Sequence, residues 1–307
     1  MRKSTLSLAI IALALPFLAA APAQAQDPRT WVSGTGDDAN PCSRTAPCKT
    51  FVGAIQKTAP GGEINCLDPG QFGGQVTISF SLTISCQAGT AGILMTNDTH
   101  AIFINAATTD VVTLRGLDLD GQGTGFSGIF VQSAKAVYVQ NCTIRNFRSH
   151  DFSAGIETQN STTVFFHVAD TVISDNTNGL FLLSHGGFKV ASLKNVVITG
   201  SRLNGLALLS SDMYANVTKS VISGNGFSAV SAGAGATVNI DRSTLANNAT
   251  GLNAGGNGAV IRASGNNIFN NTTGFNIAGG AFIQSDGTNN TGGSNGGGAP
   301  NASLTKQ

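Results

Sequence analysis

Charge is what this chain has least of. Asp, Glu, Lys and Arg make up 11% of 307 residues, and 17 cations against 16 acids leave a net charge of +1. A typical soluble domain is about a quarter charged. So sparse and balanced a set leaves no electrostatic footprint for nucleic acid. It also excludes helical coiled coils and solvated disorder. Nucleotide, phosphate-loop, zinc and thiol-protease signals are missing as well: the cysteines lack metal spacing, and the glycines have no strand–loop–helix context. Beyond residue 25 no apolar run reaches spanning length. A soluble mature protein without membrane insertion is therefore expected.

The apolar run that does exist lies at the N-terminus. Arg2 and Lys3 precede Leu6 to Ala21, which Pro16 interrupts, and Ala-Gln-Ala follows at 23–25. A positive start, an apolar stretch and a small-x-small site describe a signal peptide over residues 1–25, cleaved after Ala25. The expected location is secreted or periplasmic. Five cysteines in an exported chain suggest disulfides. Cys42 and Cys48 can close a small ring, Cys66 and Cys86 stand twenty residues apart, and Cys142 is left over as a buried thiol.

What the chain has in quantity is Gly, at 39 residues, with abundant Asn, Ser and Thr, and they recur with a period. Leu119, Ile144, Ile173, Ile198, Ile222, Leu245 and Ile268 are separated by steps of 25, 29, 25, 24, 23 and 23 residues. Apolar residues also recur seven and five positions before each of these, and an Asn-rich corner follows five of them: Asn146, Asn176, Asn225, Asn247-Asn248 and Asn270-Asn271. Within the segments apolar and polar residues alternate, which is strand periodicity. A unit this short cannot bury its own apolar face. Stacking it on its neighbour pairs every backbone group at about 4.8 Å and piles Ile on Ile inside. The fold expected is all-β, a single right-handed parallel β-helix of about 9–10 coils over residues 26–285. Earlier coils are read at Ile64 and Ile84. A short helix around Phe51 and Ile55, with Thr50 as N-cap, would close its N-terminal end. Residues 286–307, rich in Gly and Asn, are expected as a flexible tail.

The stretch WVSGTGDDANPCSRTAPCKTFVGAIQKTAPGGEINCLDPGQF, residues 31–72, resembles the opening of right-handed parallel β-helix proteins of the pectate-lyase-like superfamily. With the Asn-Gly repeats from 102 to 283 the resemblance covers most of the mature chain. It implies the fold. Members include pectate lyases, polygalacturonases, alginate epimerases, phage tailspikes and adhesins, so the fold does not carry one function across the set.

In a β-helix the inside is packed, so chemistry belongs on outward columns and corner loops. One solvent face is predicted to carry Tyr138 next to His167, with Arg115, Gln140 and Lys194 alongside. An aromatic, amides and cations on a flat ribbon suit a polysaccharide. Asp118 and Asp120 point out together, about 6.8 Å apart, with Arg145 one coil above. That arrangement is compatible with acid–base hydrolysis of a glycoside or with Ca²⁺ held for a lyase. The longest step inserts a loop in which His150 precedes Asp151, a base beside an orienting carboxylate. Asp37, Asp38 and Asn40 offer oxygen ligands for Ca²⁺ near the N-terminal cap. The reading that follows is an exported monomer that binds polysaccharide or a cell-surface glycan along its outer ribbon. The alternatives are a polysaccharide lyase or glycoside hydrolase using Asp118, Asp120 and Arg145, with His150 or His167 as proton carrier, and a structural adhesin or envelope protein without catalysis.

Overall fold

A computed structural model describes residues 26–87 and 91–304. The segment 1–25, read above as a signal peptide, lies outside the described residues. The chain winds into a parallel β-solenoid of about nine turns whose described strands form three sheets of 12, 10 and 9 strands. One coil illustrates the rest. Val111–Arg115 joins the twelve-stranded sheet, Leu117–Gly125 the ten-stranded sheet and Ser127–Ser133 the nine-stranded sheet, and Ala136–Gln140 then returns beside Val111–Arg115. The pairings between the described strands are parallel, so consecutive coils lie one on another in register.

The predicted apolar column is a physical column. Leu119, Ile144, Ile173, Ile198, Ile222, Leu245 and Ile268 face one another in successive strands of the ten-stranded sheet. All are fully buried in one continuous core. Ile64 and Ile84 mark earlier coils, and their column continues through Leu114 in the twelve-stranded sheet.

The corners explain the Gly and Asn content. Each needs a residue in the left-handed region, supplied at Asn146, Asn247 and Asn270 and by Gly116 between the twelve- and ten-stranded sheets. A Cβ on Gly116 would run into the Cys86 carbonyl. Inside the corner between the ten- and nine-stranded sheets, buried Asn side chains form a ladder. The Asn248 Oδ1 accepts from the Asn225 backbone N–H (3.0 Å) and Nδ2 (2.9 Å), and Asn248 in turn donates from both nitrogens to the Asn271 Oδ1 at 3.0 Å. At the opposite corner Thr171, Ser220, Ser243 and Asn266 do similar work, and Cys142 occupies the same column, its backbone N–H donating to the Thr171 Oγ1. Burial pushes its thiol up to about 11, so it stays protonated and inert.

The N-terminal helix Phe51–Ile55 is one short turn capped by Thr50, whose Oγ1 accepts from the Gly53 N–H at 3.0 Å. Phe51 and Ala54 belong to the same core as the coils, and Phe51 packs on Phe72. Cys42–Cys48 and Cys66–Cys86 are disulfides. The C-terminal segment differs from the expected loose tail. Asn290–Gly292 pairs with Asn267–Phe269, and Ala302–Ser303 pairs with Phe282–Ser285. Little apolar burial is needed there, because the last coil offers an unpaired row of N–H and C=O groups and Asn289 and Asn301 bond its backbone.

Replacing Asn248 by Ala strands the Asn225 donors and the Ile222 carbonyl in a dry corner. Urea unfolding should show a loss of about 2–4 kcal/mol, against less than about 0.5 kcal/mol for Ser223→Ala on the outer side of the preceding strand. Equal losses would show that the ladder does not hold the corner.

Candidate functional site

The twelve-stranded sheet brings the predicted ribbon together. Thr113, Tyr138, His167 and Ser192 succeed one another in register, as do Arg115, Gln140, Ala169 and Lys194. The Tyr138 and His167 rings stack with centroids 4.5 Å apart and planes 13° from parallel. That separation is close to the strand spacing, so the stack runs along the solenoid axis and turns the ring edges outward. Arg115 donates through Nε (3.2 Å) and Nη2 (2.9 Å) to the Gln140 Oε1, which ties its guanidinium to the next coil. All five ribbon residues therefore share one face. A third outward column, two residues before Tyr138, was not read from the sequence. It places Phe165, Tyr214 and Phe282 half-exposed along the ribbon's edge. The strict alternation of each strand was the signal that could have found it.

Asp118, Asp120 and Arg145 also come together, on the outer face of the ten-stranded sheet, but not as a poised acid and base. Arg145 forks onto Asp118, with Nη1 on Oδ1 and Nη2 on Oδ2, and its Nε lies 3.2 Å from the Asp120 Oδ2. The hydrogen bond to Asp118 is the main cause holding the guanidinium above its ordinary pKa. Asp120 also accepts from the Gln122 N–H and the Asn146 Nδ2. One cation thus pairs with two carboxylates, and the remaining bonds of Asp120 close a turn. Thr143, Val172 and Val197 continue the Asp118 column and add no acid.

The corner insertion is arranged differently from its sequence order. His150 does not meet Asp151. Its Nε2 lies 2.8 Å from the Asp98 Oδ2, two coils back, while Asp151 pairs with Arg202, two coils on. Neighbouring loop residues point to opposite sides, and their partners stand 52 and 51 positions away. Asp98 also accepts from the Ser149 Oγ at 2.5 Å, and these two bonds, Ser149 first, hold its carboxyl below the ordinary value. Among the described residues no hydrogen bond or ion pair joins His150 to the Asp118–Asp120–Arg145 group.

The N-terminal trio does not fit a Ca²⁺ cage, which wants about six to eight converging oxygens. The Asp37 Oδ1 accepts from the Ala39 N–H, and the Asn40 Nδ2 donates to the Pro47 carbonyl. The Asp38 carboxylate receives the N–H groups of Lys49 and Thr50 and the Thr50 Oγ1 at 2.8–2.9 Å. Burial opposes its ionisation, yet those bonds from Thr50 and Lys49 win and lower its pKa. Among the described residues no three His, Cys, Asp or Glu side chains are placed to hold a metal ion.

One acid escaped sequence reasoning altogether. Glu157 occupies an outward position of Ala154–Asn160, in register between Phe130 and Phe181, yet is fully buried. Phe152 of the insertion lies edge-on to Phe181, which packs with Ala154 and Ala207 in a small dry cluster separate from the interior. Burial pushes Glu157 up to about 7, although the Ser127 Oγ and the Gln159 Nε2 donate to its carboxyl.

A raised folded pKa means that protonated Glu157 stabilises the fold fully below about 4.5, and that this is lost as pH rises through about 7. Glu157→Gln cannot ionise. Unfolding measured at pH 5 and pH 8 should show the parent losing on the order of 3 kcal/mol relative to this variant. Parallel curves for the two proteins would mean that Glu157 is not held neutral.

No protein-family model matches the chain, and no curated protein matches it. Among solved structures it is similar to pectate lyase Pel9A, with a TM-score of 0.69 at 15% identity over 91% of this chain and 78% of that one. The A-module of the Azotobacter vinelandii mannuronan C-5 epimerase AlgE6 aligns with a TM-score of 0.44 at 14% identity, over 76% of this chain and 74% of that one. A PL6 alginate lyase in complex with a trisaccharide aligns with 0.37 at 14%, over 86% and 87%. The likeness to Pel9A is one of fold, and it agrees with the three parallel sheets of this chain's β-solenoid.

Proposed function

We propose that the chain is an exported monomer that binds an extended polysaccharide along the outer face of the twelve-stranded sheet. The observation that carries the reading is the in-register ribbon of Arg115, Gln140, Tyr138, His167 and Lys194. Successive coils present hydrogen-bonding groups at a constant spacing, which suits a ligand that is itself a repeat. Arg115 and Lys194 are the cations of the ribbon, and no acid stands between them in their column, so an acidic polymer is favoured. The leader-like segment 1–25 and the two disulfides support export. No helix among the described residues is long and apolar enough to cross a membrane. Catalysis through Asp118, Asp120 and Arg145 is not part of the proposal, since Arg145 ties up both carboxylates.

Retention on an immobilised uronic-acid polysaccharide tests it. The parent chain should be retained, release no new reducing ends and elute earlier as salt rises. The Arg115→Ala, Tyr138→Ala double variant should bind roughly tenfold more weakly or worse. Unchanged retention of that variant would move the ligand off this face, and new reducing ends would make the protein an enzyme.

A further inference from the structure

The polar ribbon does not stop at Lys194. The column of Tyr138 and His167 runs on through Ser192, Asn216, Asn239 and Arg262 in unbroken register. Its last members bond along the axis. The Asn239 Nδ2 donates to the Asn216 Oδ1 at 2.7 Å, and Arg262 donates through Nη1 to the Asn239 Oδ1 (3.3 Å) and through Nε to the Gln284 Oε1 (3.0 Å). Sewing coils together needs no charge. On the nine-stranded sheet Asn276 bonds Asn253 at 2.7 Å, and Asn253 bonds Ser231 at 3.0 Å. A guanidinium in such a string brings a charge that its amide partners do not cancel. Arg115, bonded to Gln140, is in the same condition, and Lys194 is exposed. No ion pair among the described residues involves any of these three cations. They also stand at equal intervals. Arg115 lies on Val111–Arg115, Lys194 on Lys189–Lys194 three strands on, and Arg262 on Val260–Ser264 three strands beyond that.

We propose that the three cations form one ruler. A single acidic polysaccharide chain lies along the solenoid axis from Arg115 to Arg262, one sugar to a coil, and turns an anionic group to the sheet at every third sugar. This rests on the reading that the protein binds polysaccharide on this sheet, and it adds length, direction and charge spacing. Coils stack at about 4.8 Å, so three coils rise about 14 Å and the whole line about 29 Å. A pyranose unit advances its chain by roughly the height of one coil, so an extended chain keeps pace with the strands. An anion at every third sugar then reaches each cation in turn, and rings and amides fill the intervals. Arg262 stands in the outward column next to that of Arg115 and Lys194, so the line drifts sideways by one column over its last three coils. The one acid in these two columns over this stretch, Asp241, is held by the Arg242 Nε at 2.6 Å. Asp170, Lys219 and Arg242 belong to the corner after the sheet, where their backbones are left-handed, and Lys135 to the corner before it. The sheet face itself therefore offers charge only at the three marks.

Isothermal titration with two length series, oligogalacturonates and oligomannuronates from trisaccharide to decasaccharide, tests this. Affinity for at least one series should climb in two steps, at the tetrasaccharide that bridges Arg115 to Lys194 and at the heptasaccharide that reaches Arg262, each step roughly fivefold or more. Arg262→Gln, which keeps an amide in the string, should erase the second step and leave tetrasaccharide affinity within about twofold of the parent's. Arg262→Lys keeps the charge and should keep the second step, a recovery that a merely structural Arg262 would not give. Lys194→Ala should erase the first step. Affinity that rises evenly with every added sugar overturns the ruler, and so does a second step that survives Arg262→Gln. Retention of the parent on a uronic-acid polysaccharide reports the ribbon by itself. Retention without the steps removes the ruler alone, whereas loss of retention removes the polysaccharide reading beneath it.

Discussion

Parallel in-register pairing between coils is the constraint from which the rest follows. A coil of 23 to 25 residues satisfies its strand N–H and C=O groups only by lying directly on the coil before it. That condition forces each position to share an environment with the same position one coil away. Interior columns become uniformly apolar, as along Leu119 to Ile268. Corner positions must turn sharply at a fixed place, so they recruit Gly and left-handed Asn. Polar groups trapped inside a corner must find partners in the next coil, and the Asn225–Asn248–Asn271 ladder is that solution.

The same constraint decides where chemistry is available. With the interior closed, charged groups meet on outer columns, where their nearest neighbours belong to other coils. Arg145 reaches back to Asp118 and Asp120, and Arg148 reaches forward to Asp175. In a chain so poor in charge, several of these ions are already matched. The outer faces then diverge. The twelve-stranded sheet is open around Tyr138 and His167, while the nine-stranded sheet carries a covered apolar cluster around Phe181 with a buried carboxyl of raised pKa, Glu157, beside it.

Much of this was legible in the sequence, because a constant period turns residue numbers into columns. The ribbon, the interior column, both disulfides and the Thr50 cap follow from counting. Legibility ends where the period is broken. The 29-residue step removes the count across residues 148–153, so Asp98 was invisible as the partner of His150. Glu157 sits just after that break, and nothing local marks an outward Glu as one that a neighbouring loop will cover. Asp37, Asp38 and Asn40 fail for another reason. The same oxygens at the same spacing serve a cation or a helix entrance equally well, and only the positions of the Lys49 and Thr50 N–H groups decide between them.

A stack of coils ordinarily behaves as a one-dimensional lattice, in which each unit feels only its immediate neighbours and the array can melt from either end. The inserted loop at residues 148–153 breaks that locality. By joining Asp98 to Ser149 and His150, and Asp151 to Arg202, it links units that are next-nearest neighbours. The stretch from residue 98 to residue 202 thereby gains ties that skip a coil, where the coils before it are joined through the Cys66–Cys86 disulfide.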